Sequence, residues 1–349
     1  GMQRNRRVNA WAGVRRLAIG ALWPFATLAA PGIDADWRGR FALGAFADAM
    51  QDPVRASRDA REALDRVMTS ADPRQRLRAA ARFFLAMDET TGQCALVDPL
   101  IREARAGGPA LAPELFDVAV GAYLSISDQH CQSFLSPDEL AALARQLGDP
   151  GRMYFVHGVR ALALLKANRF NDALLALSEQ RDAALSDAQI AFALHTRAQA
   201  ELAANPTSNT ARAALEEAQR HIDQRQYPAL HLSQLVLSFR MELAARRDAA
   251  AFAFMQQALP GTRAGLLGAC PSGYDLVTFA RALVTAGRPA EAVSLLEDAR
   301  RFHTGCKKLV ALRGRTALEV YTALGTADAF ARGQREIEQQ ISWFDSSFS

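Results

Sequence analysis

The stretch that decides the fold is residues 276–300, LVTFARALVTAGRPAEAVSLLEDAR. Its apolar residues recur every three or four positions on both sides of Gly287, which is the spacing of two amphipathic helices. Glycine permits a tight turn, and Pro289 stands where proline is tolerated, in the first turn of a helix. Small residues at Ala280 and Ala292 let the two helices approach closely. The stretch therefore predicts a helical hairpin.

The order of large and small residues in this hairpin resembles the tetratricopeptide repeat, with only the first large position weakened, to Leu276. The other matching positions are Phe279, Ala280, Leu283, Gly287, Pro289, Ala292, Leu296 and Ala299. Residues 162–177 and 317–337 match in part. The resemblance implies an all-α fold, a right-handed superhelix (α-solenoid) of stacked helical hairpins.

Similar turns recur along the chain. They begin at residues 168, 205, 247, 287 and 325, and the spacings are 37, 42, 40 and 38 residues, slightly longer than the usual ~34. No stretch alternates apolar and polar residues for long enough to suggest a sheet. We expect about eight hairpins, over residues 37–69, 73–106, 113–147, 151–182, 187–224, 227–258, 273–303 and 306–345. Residues 36–150 and 151–349 would then form one continuous array, with a capping helix at the C-terminal end.

The positive charge of the chain is concentrated at its start. The formal net charge is +4, and residues 1–30 hold five arginines and no acidic residue, which leaves −1 for the remainder. A near-neutral body without a basic stripe lacks the counterion release that drives non-specific nucleic-acid binding. We therefore expect no nucleic-acid partner.

An uncharged run of 14 residues, 17–30, follows the first arginines, and this order is typical of a secretory signal peptide. The run is short for a membrane span, which needs about 20 apolar residues. We predict a signal peptide over residues 1–35, cut after Ala29 or Ala35, and a periplasmic or secreted protein that this segment brings near the membrane. The alternative is a cytoplasmic protein in which residues 10–30 form a packed helix, because Trp23-Pro24 interrupts the run.

The four cysteines form two pairs spaced by about one repeat, Cys94 with Cys131 and Cys270 with Cys306. Residues one repeat apart in a solenoid lie beside each other, so each pair would come within the short Cα separation that a disulfide needs. We predict two disulfide bonds, which suit an exported protein. The alternative is four reduced thiols used as small core residues in a cytosolic protein.

Motifs for catalysis and for cofactor binding are missing from the sequence: it contains no phosphate loop, dinucleotide fingerprint, HExxH or GxSxG. The six histidines are scattered over different hairpins, and none has the spacing to cysteine that a zinc site needs. Acidic pairs such as Glu336 and Glu338 are interpreted as solvated helix faces. We expect no catalytic residue, no cofactor and no metal.

In tetratricopeptide proteins the first helix of each hairpin lines the concave face and contacts the partner, so the resemblance points to particular side chains. They are His195, Gln199, Tyr274, Arg281, Arg315 and Glu319. Arg281 and Arg315 together would bind a carboxylate of an acidic or C-terminal peptide. Each residue alone is also explained as an ordinary exposed side chain.

These patterns favour a non-catalytic, exported scaffold of the cell envelope that binds a protein or peptide. One alternative is the sensory portion of a membrane-associated signalling protein. Another is a helical-repeat hydrolase acting on an envelope polymer, which would need two acidic side chains facing one groove.

Overall fold

The structure is a computed structural model that describes residues 53–86, 94–125, 131–306 and 309–347. Within these ranges it contains α-helices, one 3-10 turn and no strand, which confirms the all-α prediction. The predicted signal peptide, its cleavage positions, the alternative helix at residues 10–30 and the start of the hairpin 37–69 lie outside the described residues. The helices are α1 (Pro53–Val67), α2 (Pro73–Ala86), α3 (Cys94–Ala106), α4 (Ala112–Ser125), α5 (Pro137–Leu147), α6 (Gly151–Lys166), α7 (Phe170–Asp182), α8 (Asp187–Ala204), α9 (Asn209–Arg220), α10 (Pro228–Ala244), α11 (Asp248–Arg263), α12 (Ala269–Thr285), α13 (Pro289–Arg300), α14 (Leu309–Leu324) and α15 (Ala327–Ser347).

The chain divides into two compact units, and the boundary falls within α10, between Gln234 and Leu235. In the first unit α2 packs against α4, α6 against α7, and α8 against α9. In the second unit α12 packs against α13 and α14, and α14 against α15. The packed helices named here are therefore consecutive in the sequence or separated by one helix.

One turn conformation joins three consecutive pairs of helices, α6 to α7, α10 to α11 and α12 to α13. Its first residue has a positive φ, and the next residue is an arginine whose N–H donates to the carbonyl five residues earlier. The positive-φ residues are Asn168 (59°), Arg246 (59°) and Gly287 (75°), and the bonds run from Arg169 to Leu164 (2.9 Å), Arg247 to Glu242 (2.9 Å) and Arg288 to Leu283 (2.8 Å). This is the Schellman ending, in which the left-handed residue closes the helix.

Four helices, which we call the trailing helices (α3, α7, α9 and α13), bury residues at the same positions. In α13 these are Ala292, Leu295, Leu296 and Ala299, spaced i, i+3, i+4 and i+7. The same spacing is found at Val97, Leu100, Ile101 and Ala104, at Ala173, Ala176, Leu177 and Gln180, and at Ala211, Ala214, Leu215 and Ala218. Such a stripe covers one face only, so each trailing helix is amphipathic.

Four other helices, the leading helices (α6, α8, α12 and α14), are buried on several sides. Helix α8 buries twelve of its eighteen residues. Small side chains make this possible: Ala161 of α6, Ala173 and Ala176 of α7 and Ala200 of α8 meet in one core cluster. Leading helices thus lie between other helices, and trailing helices lie against them.

Both predicted cysteine pairs lie at disulfide distance, which confirms the pairing. The Cα atoms of Cys94 and Cys131 are 5.2 Å apart, and those of Cys270 and Cys306 are 5.0 Å apart. Each pair joins the start of one helix, α3 or α12, to the segment that enters a helix two further along, α5 or α14. Two disulfides are compatible with an oxidising compartment outside the cytosol. Of the described helices, none has the length and apolarity needed to cross a bilayer.

Candidate functional site

Helix α8 carries two of the predicted binding residues, and the structure buries both. His195 is 0% exposed, and neither ring nitrogen has a hydrogen-bond partner within the described ranges. Burial lowers the pKa of His195 to about 4, so the imidazole is neutral at pH 7. Gln199 is also buried, and its side-chain oxygen has no partner there. A partner could reach these side chains only after the packing around α8 opened.

Helices α12 and α14 hold the other predicted residues, at or near the surface. Arg281 and Arg315 are exposed, and Tyr274 and Glu319 are half-buried. The Arg281 Nε donates to Glu319 Oε2 at 3.2 Å. The predicted pair of Arg281 and Arg315 therefore has an internal carboxylate beside it, and an incoming carboxylate would have to compete with Glu319 for Arg281.

An ion pair with a buried carboxylate connects α10 with α12. Arg240 Nη2 donates to Asp275 Oδ1 at 3.1 Å, and Asp275 is 5% exposed. Burial raises the pKa of Asp275 to about 6, although the Arg240 charge and hydrogen bond act in the opposite direction.

A second buried pair lies in the first unit, where Arg152 of α6 donates to Asp117 of α4 at 3.2 Å. Burial raises the pKa of Asp117 to about 7, against the opposing charge of Arg152. Glu114 lies one turn before Asp117 and is 3.1 Å from Arg78. A carboxyl that titrates near neutrality is a feature of acid–base sites. Glu114 and Asp117, however, project from one helix, whereas glycoside hydrolysis needs carboxylates on two sides of the scissile bond.

The sequence interpretation was wrong about Glu336. It was assigned to a solvated helix face, but it is buried, and its two oxygens accept hydrogen bonds from Arg300 (2.8 Å) and Arg313 (2.7 Å). Arg313 is 1% exposed, the most deeply buried charged residue of the described chain. A signal for this existed: Leu309, Val310, Thr316 and Ala317 surround Arg313 at helical spacing, so it lies on the apolar face of α14.

Within the described ranges, no group of three or more histidine, cysteine, aspartate or glutamate side chains is arranged to hold a metal ion. No protein-family model matches the chain, and neither a curated protein nor a solved structure matches it. The resemblance to tetratricopeptide repeats thus remains an expectation drawn from the residues.

Proposed function

We propose that the chain is an exported, non-catalytic binding protein, built as a right-handed superhelix of about eight tetratricopeptide-like hairpins, that binds a protein or peptide along its leading helices. The observation that supports this most strongly is the sequence separation of side-chain contacts. Within each unit, a set of these contacts joins residues about one repeat apart. In the first unit they are Asp98–Ser133, Asp117–Arg152 and Tyr154–Gln189 at 35 residues and Arg181–Glu217 at 36. In the second they are Arg240–Asp275 and Arg263–Asp298 at 35, Arg300–Glu336 at 36 and Arg281–Glu319 at 38.

Separations of 35 to 38 residues are those expected if each hairpin bonds to nearly equivalent positions of the next. One hairpin cannot bury its apolar face alone, so a stack of such units supports itself through neighbour contacts and leaves an extended surface for a ligand. The recurring turn and the equal spacing of the buried residues in the trailing helices are further support. Exposed Arg281, Thr285 and Arg315 then mark the binding face on α12 and α14.

Position-specific photocrosslinking in the native host tests the binding face. A photoreactive phenylalanine analogue is placed at Thr285 or Arg315 on leading helices, and at Ala290 or Ser294 on α13 as matched controls, since all four are exposed. We expect a discrete crosslinked product from the leading-helix positions alone. Equal crosslinking from α13, or none from Thr285 and Arg315, contradicts the proposed face.

Mass spectrometry of the chain expressed with its native N-terminus tests export. We expect the loss of the first 29 or 35 residues, according to the cleavage position, and a mass about 4 Da below that of the reduced chain, because two disulfides remove four hydrogens. An intact chain with four free thiols contradicts export.

A further inference from the structure

A cavity of about 280 Å³ lies between the turn after α13, the start of α14 and helix α15. Its walls include charged and polar groups, Arg313, Glu336, His303 and Gln339, and the indole of Trp343. The volume is near the lower end of the range for ligand pockets, about 300–1,000 Å³. The cavity therefore suits a small molecule or the end of a chain rather than an extended segment.

The Arg313 guanidinium has unused hydrogen-bond donors on the wall of this cavity. Its Nε donates to the Leu296 carbonyl at 2.7 Å, Nη1 donates to Glu336 at 2.7 Å, and Nη2 lies 3.5 Å from Glu297. A guanidinium has five N–H groups, so each terminal nitrogen retains one N–H without an acceptor among the described residues. Since buried donors are normally bonded, a ligand in the cavity is the natural acceptor.

His303 lines the same cavity, and its Nε2 is buried without a hydrogen-bond partner within the described ranges. Burial, followed by the charges of Arg313 and Arg300, lowers the pKa of His303 to about 4, so the ring is neutral at pH 7. The opposing effect of Glu336 is smaller. The electrostatic potential at His303 is therefore positive, which favours a negatively charged ligand group.

We propose that this cavity binds a small ligand through a carboxylate group. The two oxygens accept hydrogen bonds from Arg313 and from His303 Nε2, and charge assistance strengthens the bond to Arg313. Val310 and Trp343 supply the apolar walls for the body of the ligand. The carboxylate belongs either to a free acid or to the C-terminus of a peptide. Arg281, Thr285 and Arg315, which mark the proposed binding face, are not among the residues that line the cavity, so the two sites are tested with different variants.

Isothermal titration of the purified protein with N-acetyl-L-leucine and with its uncharged amide tests the carboxylate requirement. We expect the acid to bind and the amide to bind at least about tenfold more weakly. Two peptide arms identify the source: an acetylated hexapeptide ending in leucine with a free C-terminus, and the same peptide amidated. Binding of the free-ended peptide supports a C-terminus, and binding of N-acetyl-L-leucine alone supports a free acid. Equal binding of acid and amide in either pair, or no binding of any of the four compounds, overturns the proposal.

Substitutions in the cavity wall test whether the acid binds there. Gln339→Ala and Trp343→Ala remove wall residues while keeping the buried Arg313–Glu336 pair, and we expect each to weaken acid binding at least about fivefold. Gln334→Ala is the matched control, because Gln334 is exposed on the same helix and bonds Glu338. Circular dichroism checks that all three variants are folded. Acid binding that survives both wall changes, or that Gln334→Ala weakens equally, overturns the assignment.

Discussion

Leading and trailing helices differ in how many of their residues are buried and in whether the buried residues are polar. Helix α8 buries twelve of eighteen residues, among them Gln189, His195 and Gln199, whereas α13 buries four of twelve, all apolar. A helix with one buried face can send its polar residues to water. A helix buried on several sides must bond its polar groups inside the protein or leave them unpaired, at a cost of about 1–3 kcal/mol each. Stability should therefore depend on polar contacts in the leading helices and on apolar fit in the trailing ones.

The largest effect should come from Arg313, whose charge is buried on leading helix α14. Arg313→Met removes one of the two arginines that hold Glu336 and removes the side-chain donor to the Leu296 carbonyl. Removing one partner of a buried ion pair costs about 3–5 kcal/mol. Urea denaturation should show a loss of that size in the free energy of unfolding.

The matched control is Arg281→Met, on the leading helix α12 but in an exposed pair with Glu319. Exposed ion pairs contribute at most about 1 kcal/mol. Similar losses in the free energy of unfolding for Arg313→Met and Arg281→Met would show that burial does not determine how much a charged side chain on a leading helix contributes to stability.

The second largest effect on stability should come from the protonation of Asp117 and Asp275. The folded-state pKa of each is raised above the ordinary value, to about 7 and about 6, so the folded protein binds the proton more tightly than the unfolded chain. This stabilisation is fully present below pH ~4 and is lost as the pH rises through the folded-state pKa. An asparagine keeps a hydrogen-bonding oxygen but does not titrate.

Urea denaturation at pH 4 to 8 should show Asp117→Asn gaining stability relative to the wild type as the pH rises, by roughly 3–4 kcal/mol in total. Asp275→Asn should also gain stability relative to the wild type, but the gain should level off about one pH unit lower, because the folded-state pKa of Asp275 is about 6 rather than about 7. A difference from the wild type that stays constant across this range would contradict the raised pKa values.

The trailing helices could be predicted from the sequence because their buried residues follow the helical period. The turn at residue 287 could be predicted because a glycine occupies it. The burial of the leading helices was harder to predict from the sequence. Gln189 and His195 on a helix suggest exposure, and only the neighbours in space, which local sequence does not specify, show that they are buried. Glu336 illustrates the same limit, since its partner Arg313 lies 23 residues away. The disulfide pairing was predicted correctly because the two cysteines of each pair are separated by about one repeat in the sequence.

A smaller loss is expected from overfilling a trailing helix. Ala292 is fully buried on α13, and Ala292→Leu forces three extra carbon atoms into the stripe, which should cost about 1–3 kcal/mol. Ala290→Leu, two residues earlier and exposed, should change the free energy of unfolding by less than about 0.5 kcal/mol. Equal effects in urea denaturation would mean that α13 is not packed on one face only.

The smallest effects concern the turn that ends α6, α10 and α12, and they should follow the residue at the left-handed position. Gly287→Ala places a Cβ at φ 75°, a strain of about 1–2 kcal/mol that the stiffer unfolded chain partly offsets, so about 1 kcal/mol should be lost. Arg246→Gly relieves the same strain and should gain about 0.5 kcal/mol. Asn168→Gly should change least, because asparagine tolerates this conformation.

Thermal unfolding of the three variants gives the ranking directly, since each differs from the wild type at one equivalent backbone position. The expected order of midpoints is Arg246→Gly above Asn168→Gly above Gly287→Ala, with each change measured from the wild type. An inverted order would mean that the three turns are not equivalent, although their backbone hydrogen bonds match to within 0.1 Å, at 2.9, 2.9 and 2.8 Å. The repeat would then be a property of the helices alone, and the arginine that follows each left-handed residue would be a coincidence of sequence.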